Sequence, residues 1–151
     1  MILLDTTPLV ALCDPRDRLH RRALAEIDRV ARSPLVVCAP VLTEACFLLE
    51  HPVQRRRLER LLTELQVQPF TADDEVELWS AIFDWLARYS EHDPDWADGY
   101  LAAISALDKS ARVWTYDSEF WTTWRRPDGT RIPLATKSRG YRPRTEGGHA
   151  D

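Results

Sequence analysis

Short apolar runs alternate along this chain with longer stretches in which apolar residues recur every three or four positions. The short runs predict strands over residues 1–5 (Met1-Ile-Leu-Leu-Asp5), over Leu35-Val36-Val37-Cys38 between Pro34 and Pro40, over Gln66 to Phe70, and over Arg112 to Tyr116. The longer stretches predict helices. Thr7 with Pro8 opens one that runs to Cys13, Thr7 being a suitable N-cap and Pro8 a suitable first-turn residue. A second covers Asp17 to Ala31, with Leu19, Ala23, Leu24, Ile27 and Val30 on one face. Others cover Val41 to Leu49, Val53 to Leu65, a helix opened by Thr71-Ala-Asp-Asp74 and running through Tyr89, Asp95 to Ser110, and Ser118 to Trp124. Ile132 to Ala135 is a candidate edge strand.

Strands separated by helices, with no tight hairpin between the early ones, imply crossover connections and a parallel sheet covered by helices. The expected fold class is therefore α/β, a parallel β-sheet sandwiched between α-helices in a single domain. That domain should span residues 1–136, with 137–151 as a basic C-terminal tail. At 151 residues one core is expected, burying roughly 70% of the surface of the extended chain. In such sheets the binding crevice lies beyond the carboxyl ends of the strands.

With 44% apolar and 29% charged residues, the composition excludes the disordered class. Cys13, Cys38 and Cys46 are odd in number, form no CxxC and lie in apolar runs, so they are expected to be buried free thiols rather than a disulfide framework or a zinc site. The opening residues have no basic flank and too short an apolar run for a signal peptide, and no later run approaches a membrane span; a cytoplasmic location with no membrane partner is the expectation. Charge is unevenly placed. Residues 1–124 carry 13 basic and 21 acidic side chains, whereas residues 125–144 carry seven basic and one acidic. An acidic body binds nucleic acid poorly unless cations or the basic stretch offset it. Arg125 to Arg144 therefore reads either as a phosphate- and base-contacting segment or as a solvated end.

Candidate chemistry lies in four acids. Asp5 and Asp117 end strands that should share one sheet edge, and Glu44 and Asp98 interrupt the apolar faces of their helices. Each has an ordinary explanation, as a cap, a turn residue or half of an ion pair. Together they would repel one another and be pushed toward protonation unless hard divalent cations lay between them, and oxygen-only ligands suit Mg²⁺ or Mn²⁺. His20, His51, His92 and His149 show no ligand spacing, and no GxGxxG, Walker A loop or HExxH occurs.

The segments Met1-Ile-Leu-Leu-Asp5-Thr-Thr7-Pro-Leu-Val, Ala39-Pro-Val-Leu-Thr43-Glu44, Ala97-Asp98-Gly-Tyr-Leu-Ala-Ala-Ile104 and Val113-Trp-Thr115-Tyr-Asp117-Ser-Glu-Phe120 resemble the four ordered motifs of PIN-domain ribonucleases, especially VapC-type toxins of type II toxin–antitoxin systems. The resemblance implies a PIN-like nuclease domain and a hydrolase, an Mg²⁺- or Mn²⁺-dependent endoribonuclease. It implies Asp5, Glu44, Asp98 and Asp117 as catalytic residues, with Asp5, Asp98 and Asp117 on the metal and Thr7 and Thr115 in support. It also implies an RNA substrate, a VapB-like antitoxin and a homodimer. Asp93 and Asp95 lie close enough to Asp98 to join the site, and Gly99 lowers local helix stability by up to about 1 kcal/mol relative to Ala. Two other readings are an inactive PIN-like binding module and an Asp-dependent phosphatase. The latter wants a second Asp two residues after Asp5, where Thr7 stands.

Overall fold

The structure, a computed structural model, describes residues 1–136. Four strands, β1 (Ile2–Leu4), β2 (Leu35–Val37), β3 (Gln68–Pro69) and β4 (Arg112–Trp114), form one sheet in the order β3-β2-β1-β4, every pairing parallel. Around it lie α1 (Thr6–Cys13), α2 (His20–Val30), α3 (Ala39–Leu48), α4 (Pro52–Glu64), α5 (Glu75–Arg88), α6 (Trp96–Leu107) and the short α7 (Glu119–Thr122). The expected α/β architecture is what forms. The expected tail, residues 137–151, lies outside the described residues.

Because β1 is central, its residues Ile2, Leu3 and Leu4 are buried on both faces, which accounts for a run with no polar alternation. The helices α2, α3 and α4 pack on α1, while α5 packs on α6, and α6 also meets α3 and β4. The chain proceeds from β1 outward to β2 and β3, then returns to the other side of β1 as β4. The order therefore reverses between β1 and β4, and a crevice is expected beyond their carboxyl ends.

Several elements start or stop elsewhere than their patterns suggest, each for a local reason. The first helix begins at Thr6 rather than Thr7, with Asp5 at the N-cap position and no capping bond from its side chain. The second starts at His20, because the Asp17 carboxylate accepts from the Leu19 amide at 2.8 Å and makes a turn of residues 17–19. β3 keeps two residues at the sheet edge, preceded by Gln66 at φ 53° and ending on Pro69, which has no amide to donate. The helix expected to run to Ser110 stops at Leu107, where Asp108 accepts from both the amide and the hydroxyl of Ser110. Ile132 to Ala135 contributes one isolated parallel bridge, Val113 to Leu134, rather than a strand.

The basic stretch begins as part of the core. Trp124 is buried between Trp85 and Tyr89, and the Trp85 indole N–H donates to the Arg125 carbonyl at 2.7 Å. Arg126 is buried too, donating to the Ser105 hydroxyl at 2.9 Å and to the Lys109 carbonyl at 2.8 Å. Neither the solvated reading nor the phosphate- and base-contact reading of this stretch holds for Arg126.

Candidate active site

Strand ends deliver the first two acids. Parallel pairing of β1 with β4 aligns Leu4 with Trp114, and the Asp5 amide donates to the Trp114 carbonyl at 3.0 Å, so Asp5 and Asp117 leave the same sheet edge. A single hydroxyl ties them together. Thr115 donates to Asp5 Oδ2 at 2.7 Å and accepts from the Asp117 amide at 3.0 Å, which fixes both acids to one buried atom. Asp117 Oδ1 in turn accepts from the Glu119 amide at 3.0 Å, so half of its carboxylate shapes the turn into α7.

Helices supply the others. Glu44, half-buried on α3, has Oε2 held at 3.1 Å by the hydroxyl of Thr6, the first residue of α1. Thr7, expected to support a carboxylate or the substrate, accepts from the Tyr116 amide at 2.9 Å and so pins the end of β4 to α1. The carboxylate-binding hydroxyl of this Thr-Thr pair is Thr6. Residue type alone does not distinguish the two, because the choice depends on where the helix begins. Asp98 and Asp95 form a reciprocal capping box at the start of α6. The Asp98 amide donates to Asp95 Oδ1 at 2.8 Å, and the Asp95 amide donates to Asp98 Oδ2 at 3.1 Å. Asp93, by contrast, is exposed and left-handed at φ 49°, closing the short 3₁₀ turn Ser90–His92.

The electrostatics join these acids into one group. Burial pushes Asp5 up from its ordinary 3.8 to about 7, the Thr115 hydroxyl partly opposes this, and the charges of Glu44 and Asp117 add to it. Asp98 is raised to about 8, first by burial and then by Asp95, with Asp5 and Asp117 contributing. Glu44 is raised by burial and by Asp95 and Asp117, and Asp117 is raised by burial and by Glu119 and Asp95. The ion pairs among the described residues, Arg22–Glu26, Arg56–Glu59 and Lys109–Asp128, leave all five acids aside. Asp95 therefore belongs to the cluster, an addition to the four acids expected.

That donor set, hard carboxylate oxygens in mutual repulsion, fits a divalent cation. Among the described residues, however, no three His, Cys, Asp or Glu side chains are arranged as they stand to hold one ion. The capping bonds of Asp98 and Asp117 help explain this, since each commits one carboxylate oxygen to a backbone amide. Two of the three cysteines are buried as expected, Cys13 and Cys38, with burial raising their thiols to about 11 and about 12; Cys46 is exposed. A groove of about 550 Å³ flanks the acids, lined by Pro40, Thr43, Glu44, Phe47, Asp95 and Trp96 among others.

Known proteins share this fold. The family model described as the PIN domain matches residues 2–123. Among solved structures, the crystal structure of Mycobacterium tuberculosis VapC20, described as a sarcin-ricin loop cleaving toxin, superposes with a TM-score of 0.61 at 22% identity, covering 79% of this chain and 92% of that one. No curated protein sequence matches.

Proposed function

The chain belongs to the PIN-domain family, and from that membership we propose that it is a metal-dependent endoribonuclease acting as the toxin of a toxin–antitoxin pair. The observation that carries the reading is the cluster of Asp5, Glu44, Asp98 and Asp117, joined by Asp95, at the point where the strand order reverses, without a basic side chain paired to any of them among the described residues. Structural proteins gain little by gathering unpaired acids, whereas a phosphodiester hydrolase needs them.

Asp5, Asp98 and Asp117 would hold Mg²⁺ or Mn²⁺. Bound there, such an ion supplies stabilisation of developing charge on phosphate oxygens and activation of water near neutral pH. The chain's own residues do the positioning. Thr115 fixes one oxygen of Asp5, and Thr6 fixes one oxygen of Glu44. Glu44, made more basic than an ordinary carboxylate by burial and by the charges of Asp95 and Asp117, is suited to accept a proton from an attacking water. Thr7 and Thr115 together hold the backbone of residues 115–117, so that Asp117 keeps its place relative to Asp5.

An RNA substrate and a VapB-like antitoxin belong to the same reading. The flanking groove, with Phe47 80% exposed at its wall and Glu44 and Asp95 at its rim, suits a segment that is apolar in part and basic where it meets the acids. Val76, Trp79 and Phe83 expose a stripe of α5, which suits a homodimer contact. Cytoplasmic action is part of the proposal; no helix among the described residues is long and apolar enough to cross a membrane. VapC20 being a sarcin-ricin loop cleaving toxin makes structured RNA the first substrate to try.

Incubated with a structured RNA, the protein should cut it with Mg²⁺ or Mn²⁺ and not in EDTA. Asp5→Asn and Asp98→Asn should each lower the rate at least a hundredfold with an unchanged circular dichroism spectrum. Asn keeps the shape of the side chain, and at position 98 its amide oxygen can still accept from the Asp95 amide. Cutting in EDTA, or full activity in both variants, would refute the reading; tight RNA binding without cutting would favour the inactive-module alternative.

A further inference from the structure

The groove beside the acids has a chemistry of its own. One side is α3, which supplies Pro40, Glu44 and Phe47 at helical spacing, and the other is the start of α6, which supplies Asp95, Trp96 and Ala97. Glu44 and Asp95 belong to the groove and to the acid cluster alike, so the two are continuous. Phe47 stands 80% exposed, a large apolar surface that α3 leaves uncovered. Trp96 is held in place, its ring 4.9 Å from that of Phe83 and 6.1 Å from that of Tyr100. Each side of the groove therefore offers one aromatic ring.

RNA presents two kinds of group to such a surface, and the lining discriminates between them. Among the described residues no basic side chain lines the groove, and its two charged members are carboxylates, so a phosphate is turned away. A base has an apolar aromatic face and N–H groups along its edge. The face suits Phe47 and Trp96, and the edge suits the acceptor oxygens of Glu44 and Asp95. The volume, about 550 Å³, is that of a site for one small flat group and its surroundings. A strand whose phosphate reaches the acids brings an adjoining base to the groove, because the two share residues.

We propose that this groove is a nucleobase subsite, in which an unpaired base of the RNA stacks on Phe47 and Trp96 while a neighbouring phosphate lies at the acids. The nature of the ligand rests on the nuclease reading; its place rests on the aromatic lining and the two shared carboxylates. A base stacked within a duplex has no free face, so the substrates are RNAs whose cut site lies in a loop, a bulge or a single strand. An antitoxin segment in the same groove silences the enzyme by excluding the base.

The test reads base binding apart from cleavage and from charge. A fluorescently labelled hexamer of 2′-O-methyluridine with methylphosphonate linkages has no backbone charge for the acids to repel and resists hydrolysis. It is titrated in EDTA with the full chain, by fluorescence anisotropy, beside an abasic hexamer of the same backbone. The base-bearing hexamer should bind at least about fivefold more tightly, the low end of what stacking a single base contributes. Phe47→Ala and Phe47→Leu should each remove most of that preference and Phe47→Trp should keep it, which separates stacking from simple apolar contact. Because Phe47 is exposed, these substitutions leave the core alone. A 5-iodouridine version of the hexamer, irradiated on the full chain, should become attached at Phe47 or Trp96, as mapped by mass spectrometry. Equal affinity for the two hexamers, including no binding of either, would overturn the subsite and leave the groove to a protein segment. So would a preference that survives Phe47→Ala, or attachment away from α3 and the start of α6. A Phe47-dependent preference in a protein that cuts no RNA with Mg²⁺ or Mn²⁺ would leave the subsite standing and remove the nuclease reading.

Discussion

Thr115 is the residue on which the site turns. Its hydroxyl is buried, donates to Asp5 and accepts from the Asp117 amide, so a single side chain holds two strand-end acids in register. Thr115→Val keeps the shape and removes both bonds. Because the Thr115 bond lowers the pKa of Asp5, its loss should carry that carboxyl above about 7, and the acid limb of the activity profile should move to higher pH. A pH–rate series at Mg²⁺ well below saturation measures this, because the free carboxyl then governs the limb; an unmoved limb would show that Asp5 does not depend on Thr115. A linked expectation concerns stability. Asp5 and Asp98 have folded-state pKa values raised above the ordinary 3.8, so the stability associated with their neutral forms is fully present below pH 3.8 and is lost as pH rises through about 7 and about 8. Urea unfolding in EDTA should thus show stability falling between pH 5 and pH 8, with Asp5 alone accounting for up to about 4 kcal/mol over its full window. Asp5→Asn should flatten much of that fall, and Mg²⁺ at pH 8 should restore stability to the unaltered protein. A wild type and an Asp5→Asn variant with the same slope would mean that Asp5 is not held neutral.

At the scale of elements, periodicity revealed which segments are strands and helices but not where they stop. Asp17, Asp108 and Gln66 end or delay elements through side-chain bonds or a positive φ, and such local competition leaves the apolar period unchanged. Gly99 is clearer still. Sequence shows a helix-weakening residue in α6, whereas the fold shows why it is there: a Cβ would lie 2.9 Å from Ile82 Cγ2 and 3.3 Å from Trp85 Cε3, where α5 crosses closely. Ile82 and Trp85 are buried and cannot readily move aside. Gly99→Ala should therefore lower stability by about 1–3 kcal/mol, the usual cost of overpacking, instead of gaining the helix-propensity increment. Thermal or urea unfolding decides it, and a stabilised variant would mean that the two helices can separate. The acids followed the same rule. Their helical and strand-end positions were legible from phase, but Thr6 was not, and Asp95 could not be told from Asp93, because these roles depend on the exact first residue of α1 and α6.

For the whole molecule, the architecture was legible because alternating short strands and amphipathic helices admit few other solutions. Less legible was the stretch after α7. Its charge suggested solvent, yet Trp124 and Arg126 are inserted against α5 and α6, since an arginine can be buried when carbonyl and hydroxyl oxygens satisfy its guanidinium. Overall charge does not reveal which individual arginines find such partners. The parallel sheet also has a kinetic side. Its central strand is the first to be synthesised, one of its two neighbours is the last, and Asp5 meets Thr115 only when that neighbour arrives. Nascent chains that stop short of residue 115 therefore lack an entire wall of the acid pocket, however much of the remaining sheet has formed.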